Sequence, residues 1–205
     1  MKYFFILFTI SALFLSWYKG RPMADRFLAS NDTVLTAGDN LTYGFGAPAQ
    51  QSYPDRLTIL TGLNVINAGL NGETSSEGLV RLPSLLKAHH PRLTILCYGG
   101  NDILRKRSMA ELKENLRRMI KITRSSGSNV LLVSVPNMTL FGLDPLDLYE
   151  EVADETNTPL LSGILSKILS DPSLKSDQIH PNAEGYQKIA EAVYAAIKDH
   201  GWLKN

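Results

Sequence analysis

The stretch "INAGLNGETSSEGLVRLPSLLKAHHPRLTILCYGGNDILR", residues 66–105, decides how this chain folds. One apolar run ends at Asn67, a glycine-containing polar turn follows, and a helical pattern extends from about Thr74 to His89. A second apolar run, Leu93 to Tyr98, comes directly after it. Both runs are continuous rather than alternating, as strands covered on both faces are. Strand, helix and strand at this spacing make a βαβ unit and call for a parallel sheet. Pro83 inside the helical pattern predicts a kink or break at that point.

The same alternation continues outward. Val34 to Ala37 and Val130 to Val135 read as further strands, and "TNTPLL", Thr156 to Leu161, as a candidate short fifth one. Helical patterns cover about Tyr53 to Thr61 and about Ala183 to Asp199, the latter with Ile189, Ala190, Val193 and Ile197 on one face. In "SMAELKENLRRMIKITRSSG", Ser108 and Glu111 have capping-box spacing, Leu112, Leu116, Met119 and Ile120 share a face, and Gly127 lies just past the end. The predicted fold class is α/β, a three-layer α/β/α sandwich around a doubly wound, mostly parallel sheet. Its functional loops are expected at the carboxyl ends of the strands.

With 205 residues the chain is sized for one domain plus a short appendage. Lys+Arg 21 against Asp+Glu 20 gives a net charge of +1, so no global field recruits nucleic acid or an acidic surface. Cys97, the single cysteine, lies in an apolar run and reads as a core residue. His89, His90 and His200 belong to no ligand-spaced group, so neither a metal nor any other cofactor is expected.

Four polar blocks fall where the fold places its loops. "GDN", Gly38 to Asn40, follows the first strand, "NAGLNGETS" follows the second and "GGND", Gly99 to Asp102, follows the third, while "DQIHPN", Asp177 to Asn182, precedes the last helix. Singly, each has an ordinary reading in turns and helix caps. A dinucleotide-binding loop is excluded, because "GDNLTYGFG" does not supply G-x-G-x-x-G after the first strand.

Together, in this order, the blocks resemble those of the SGNH or GDSL hydrolases, over about Thr33 to His200. The single-domain branch of bacterial arylesterases and of thioesterase, protease and lysophospholipase enzymes is the nearest in flavour. The resemblance implies a flavodoxin-like SGNH fold and hydrolysis of carboxylic esters or thioesters. It makes His180 the general base, Asp177 the residue that orients it, and the backbone N–H groups of Asn40 and Gly72 with the Asn101 amide an oxyanion hole. The departure is Asn40, which stands where the family has its nucleophilic serine. A carboxamide nitrogen is delocalised and a poor nucleophile, so an inactivated or impaired hydrolase is expected. The alternative is a non-catalytic, membrane-tethered pseudoenzyme that binds esters or carbohydrate. Thr42 and Tyr43 are nearby hydroxyls off the motif position. The expected partner is a small-molecule ester or thioester, with Met138, Leu140, Phe141 and Leu143 as candidate lining of an acyl or aryl pocket.

Residues 1–24 form a separate segment, and residues 25–205 the hydrolase-like domain. Lys2, the apolar run from Tyr3 to Tyr18, and then Lys19 and Arg21 have the layout of a hydrophobic anchor or signal. Bulky aromatics stand where a cleavage site needs small residues, which favours an uncleaved anchor. The expected location is membrane-anchored or exported, on the periplasmic side of a bacterial inner membrane.

Overall fold

A computed structural model describes the backbone of residues 27–139 and 142–203, and the side chains of all of these except 138–139 and 142–145. The segment 1–24 and the pocket candidates Met138, Leu140, Phe141 and Leu143 lie outside the described residues or side chains.

Seven strands and eight helices are described. In chain order they are β1 (Thr33–Gly38), α1 (Asn40–Tyr43), α2 (Tyr53–Thr61), β2 (Asn64–Gly69), α3 (Ser75–His89), β3 (Leu93–Cys97), α4 (Gly100–Leu104) and α5 (Met109–Ser125). There follow β4 (Asn129–Val133), β5 (Pro136–Thr139), β6 (Gly142–Pro145), α6 (Asp147–Thr156), β7 (Leu160–Leu161), α7 (Ile164–Ser170) and α8 (Ala183–Asp199). The main sheet has the order β2-β1-β3-β4-β7 and is parallel throughout. β1 and β3 are central, and Val34, Leu35, Ala37, Leu93, Ile95 and Leu96 are buried on both of its faces. Helices α3, α5 and α6 pack in a row on one face, while α2 and α8 pack together on the other. This is the three-layer, doubly wound sandwich that the continuous apolar runs predict.

Helix starts are written in side chains. Ser52 with Asp55 and Thr74 with Glu77 form full capping boxes at α2 and α3, satisfying backbone N–H groups that have no intrahelical acceptor. At α5 only half of the expected box is formed, Ser108 accepting from the Glu111 N–H. Helix α3 continues through Pro83 without a break, although the proline has no N–H to give the Leu79 carbonyl. The segment after β4 is not a simple loop: β5 and β6 pair antiparallel as a two-stranded ribbon. Among the described residues no helix is long and apolar enough to cross a membrane.

Candidate active site

The strand order reverses between β1 and β3. The chain leaves β1 toward the α2/α8 layer and leaves β3 toward the α3/α5 layer, so a crevice opens at their carboxyl ends. Asn40 is one residue beyond Asp39 at the end of β1, and Asn101 lies in the first turn of α4 after β3. Close packing supports this rim. A Cβ on Gly38 would lie 2.4 Å from the Cys97 carbonyl oxygen, nearer than real Cβ contacts come, so the first block needs glycine there.

Gly72 lies in the turn after β2. The Glu73 N–H closes this turn on the Leu70 carbonyl at 3.1 Å, and Gly72 has φ +79°, the value that the third position of a type II turn demands. The nearest atom to a Cβ at Gly72 would be an Arg105 guanidinium nitrogen at 3.3 Å. Backbone conformation, more than crowding, therefore selects glycine here. The turn directs the Gly72 N–H at Asn40 Oδ1, 2.7 Å away. Arg105 Nη2 donates to the Gly72 carbonyl at 2.7 Å and holds the turn from behind.

Asn101 Nδ2 donates to the same Asn40 Oδ1 at 3.1 Å, and also to the Glu73 carbonyl at 3.2 Å and Asp39 Oδ2 at 3.4 Å. Two donors thus converge on one carbonyl oxygen, in the way an oxyanion hole grips developing charge. Because the Gly72 N–H can only donate, the Asn40 carboxamide must face it with oxygen rather than nitrogen. Asn40 is also the first residue of α1, so its own N–H has no intrahelical acceptor.

On the opposite wall, His180 Nδ1 lies 2.8 Å from Asp177 Oδ2. Asp177 Oδ1 accepts from the N–H groups of Ile179 and His180, both at 2.8 Å, which fixes the carboxylate inside its own turn. Burial pushes the Asp177 carboxyl upward, but those N–H groups and the imidazole outweigh it and hold it below the usual carboxylate range. The Phe45 ring packs against the imidazole with centroids 4.5 Å apart, and the Tyr186 hydroxyl of α8 donates to the Phe45 carbonyl at 2.8 Å. With Nδ1 engaged, Nε2 is the ring nitrogen left for proton transfer.

Asn40, Asn101 and His180 share one cleft of about 130 Å³. Leu41, Ile103, Val135, Pro136, Leu169 and Ile179 supply its apolar wall, Pro136 being the first residue of segment 136–152. Thr42 does not line it. Its hydroxyl is fully buried and 3.2 Å from that of Tyr53, while the Tyr43 side chain is half exposed away from the cleft. Cys97 is buried, its thiol pushed well up by burial, which removes it from any reactive role at neutral pH. Among the described residues no group of His, Cys, Asp and Glu has the makings of a metal site.

Two buried polar clusters brace the cleft and were not visible in the sequence motifs. Ser75 donates from N to Asp102 Oδ2 at 2.9 Å and from Oγ to Asp102 Oδ1 at 2.7 Å, and Asn115 donates to Ser75 Oγ at 2.9 Å. This ties the second block to the third across α5. Beside it, Glu73 accepts from Arg81 Nε at 2.6 Å and pairs with Arg81 Nη2, and the Tyr98 hydroxyl donates to Glu73 Oε2 at 3.0 Å. Asn115 interrupts the apolar stripe of α5, the one sequence signal that pointed inward. Asp39 lies beneath Asn40. Burial raises its carboxyl from 3.8 to about 7, against the opposing Leu41 N–H bond.

Comparisons with known proteins bear on the family and the fold. Residues 36–188 match the GDSL-like Lipase/Acylhydrolase family. The chain is 31% identical over 170 residues to the Thioesterase 1/protease 1/lysophospholipase L1 of Escherichia coli K12, covering 80% of this chain and 82% of that one. It is 31% identical over 181 residues to an arylesterase of Vibrio mimicus, covering 83% and 90%. Its fold superposes on the crystal structure of TesA with a TM-score of 0.76 at 28% identity, covering 82% of this chain and 99% of that one. The family match over residues 36–188, with two relatives 31% identical over most of both chains, identifies this protein as a member of the GDSL-like lipase/acylhydrolase family.

Proposed function

We propose that this site is built for acyl transfer from carboxylic esters or thioesters and that Asn40 silences it. The observation that carries the reading is the position of the Asn40 carboxamide oxygen, held by Gly72 and Asn101 across the cleft from the His180–Asp177 pair. In a serine form, His180 Nε2 takes the hydroxyl proton as Oγ attacks the ester carbon. Gly72, Asn101 and the residue-40 N–H stabilise the oxyanion, and His180 returns the proton to the leaving alcohol or thiol. Water repeats the cycle on the acyl-enzyme. With asparagine there is no nucleophile, and its oxygen occupies the place the substrate carbonyl needs. That occupancy speaks against the alternative of a pseudoenzyme that binds esters through the hole, since an ester has to displace two hydrogen bonds. The burial of Thr42 speaks against a relocated nucleophile.

The cleft volume is close to the ~150 Å³ of an apolar cavity that accepts a benzene ring, which supports aryl or short acyl groups as the substrate class. Lysophospholipid and long acyl thioesters are the second reading, supported by the relatives' names alone. Attachment to a membrane through residues 1–24, with the domain on the periplasmic side, rests on Lys2, the apolar run and the basic residues after it.

The test is aryl-ester hydrolysis by the given chain, by Asn40→Ser, and by Asn40→Ser carrying His180→Ala. Loss of the nucleophile from a comparable triad costs on the order of 10⁶ in turnover, so Asn40→Ser is expected to gain a rate of that order, dependent on His180. Hydrolysis by the asparagine form at the serine form's rate refutes the silencing.

A further inference from the structure

Asn40 presents to the site what a substrate presents. Its carbonyl oxygen lies 2.7 Å from the Gly72 N–H donor and 3.1 Å from Asn101 Nδ2, so its Cγ is polarised as an ester carbon is in the hole. His180 lines the same cleft, with Nδ1 taken by Asp177. We propose that Asn40 is a self-substrate: the site hydrolyses its own carboxamide with water, converting position 40 to aspartate and releasing ammonia.

The step balances without a further reactant. Water oxygen bonds to Cγ while its proton passes to His180 Nε2, and the carbonyl electron pair moves to Oδ1, where Gly72 and Asn101 hold the oxyanion. On collapse the C–N bond breaks, Nδ2 leaves with the proton from His180, and the new carboxylic acid gives its proton to the ammonia. The product carboxylate keeps an oxygen between the two donors, a stronger acceptor than the amide was.

The usual competing route is disfavoured here. Succinimide formation needs the Leu41 nitrogen to attack Cγ, but Leu41 is in α1 and its N–H is held 3.1 Å from Asp39 Oδ1. The two routes also leave different products. Hydrolysis through water gives only aspartate, whereas the succinimide opens to aspartate and isoaspartate.

This inference rests on the hole and base proposed above, and its test separates the two. The full chain is incubated in slightly alkaline buffer made with heavy-oxygen water, and position 40 is followed by mass spectrometry. The expected result is a time-dependent exchange of NH₂ for OH at Asn40, with one heavy oxygen incorporated and no isoaspartate. The rate should fall about 10²-fold or more in His180→Gln, the usual contribution of a general base. It should fall about 10²-fold in Asn101→Ala, which removes one oxyanion donor. An intact Asn40 after prolonged incubation, isoaspartate at position 40, or a rate unchanged in His180→Gln overturns the proposal. If Asn40→Ser meanwhile hydrolyses aryl esters in a His180-dependent way, only the self-hydrolysis has failed; if it does not, the reading of the site fails with it.

Discussion

Replacing Asp39 by asparagine should change stability relative to the parent increasingly in the variant's favour as pH rises. The carboxyl of Asp39 is 1% exposed and directly beneath the cleft, where burial raises its pKa from 3.8 to about 7. Between those values the native state holds a proton that the unfolded chain releases, so native stability falls as pH increases through this window. Above pH 7 both states are ionised and the penalty is constant. The difference, 7 minus 3.8 at 1.36 kcal/mol for each pKa unit, is about 4 kcal/mol. Asparagine at position 39 has no charge to desolvate and keeps an oxygen for the Leu41 N–H, while its NH₂ faces the Asn101 Nδ2 donor, a cost that does not change with pH. Urea unfolding of Asp39→Asn and the parent between pH 4 and pH 8 isolates the effect, because every other titrating group cancels in the difference. The stability difference, variant minus parent, should rise by about 4 kcal/mol from pH 4 to pH 7 and then level off. A difference that is flat across this range, or that grows toward low pH, refutes the assignment of Asp39 as a buried, reluctantly ionised group.

Other perturbations probe the remaining contacts. Arg81→Ala leaves the Glu73 carboxylate, whose side chain is 2% exposed, without its cation, and should cost about 3 kcal/mol in chemical denaturation. Ser75→Ala strips Asp102 and Asn115 of a shared partner; a loss of about 1–3 kcal/mol in unfolding free energy is expected, and a neutral result argues that the cluster is solvated. Gly72→Ala forces a Cβ into φ +79° at a cost of about 1–2 kcal/mol, read as a lowered melting temperature, and in the Asn40→Ser background it should reduce ester turnover as the N–H loses its aim. Asp177→Asn in that background should lower kcat by about 10⁴ with little change in melting temperature, since the imidazole loses the partner that sets its tautomer.

Much of this architecture is local information. The central strands announce themselves because both faces are covered, so their apolar runs are unbroken, and helices α2 and α8 begin and end where patterns and caps place them. The four polar blocks were legible for the same reason: each directly follows a strand or precedes a helix. What the sequence withheld depends on contacts between distant residues. Ser75, Asp102 and Asn115 come from three elements, and only the polar break in the α5 stripe hinted at their meeting. The depth of Asp39 follows from sheet closure, which no local pattern carries. The positive φ of Gly72 likewise emerges only once the turn after β2 closes. Ile103, Leu169 and Ile179 reach the cleft wall from three separate loops and helices beside Pro136, a convergence that no single stretch of sequence displays.

The cleft is also divided along the chain. Every group that grips Asn40 lies before residue 102, while the Asp177–His180 pair proposed for proton transfer comes much later in the chain and is docked by Phe45 and Tyr186. During synthesis, the carbonyl-gripping half is therefore complete long before the half that moves protons. A chain cut between α6 and α8 would divide the site into two inert pieces, and whether these reassemble when mixed becomes a matter of how firmly α8 seats on α2. For any serine relative built in this way, a segment that leaves the ribosome late is the one that arms the enzyme.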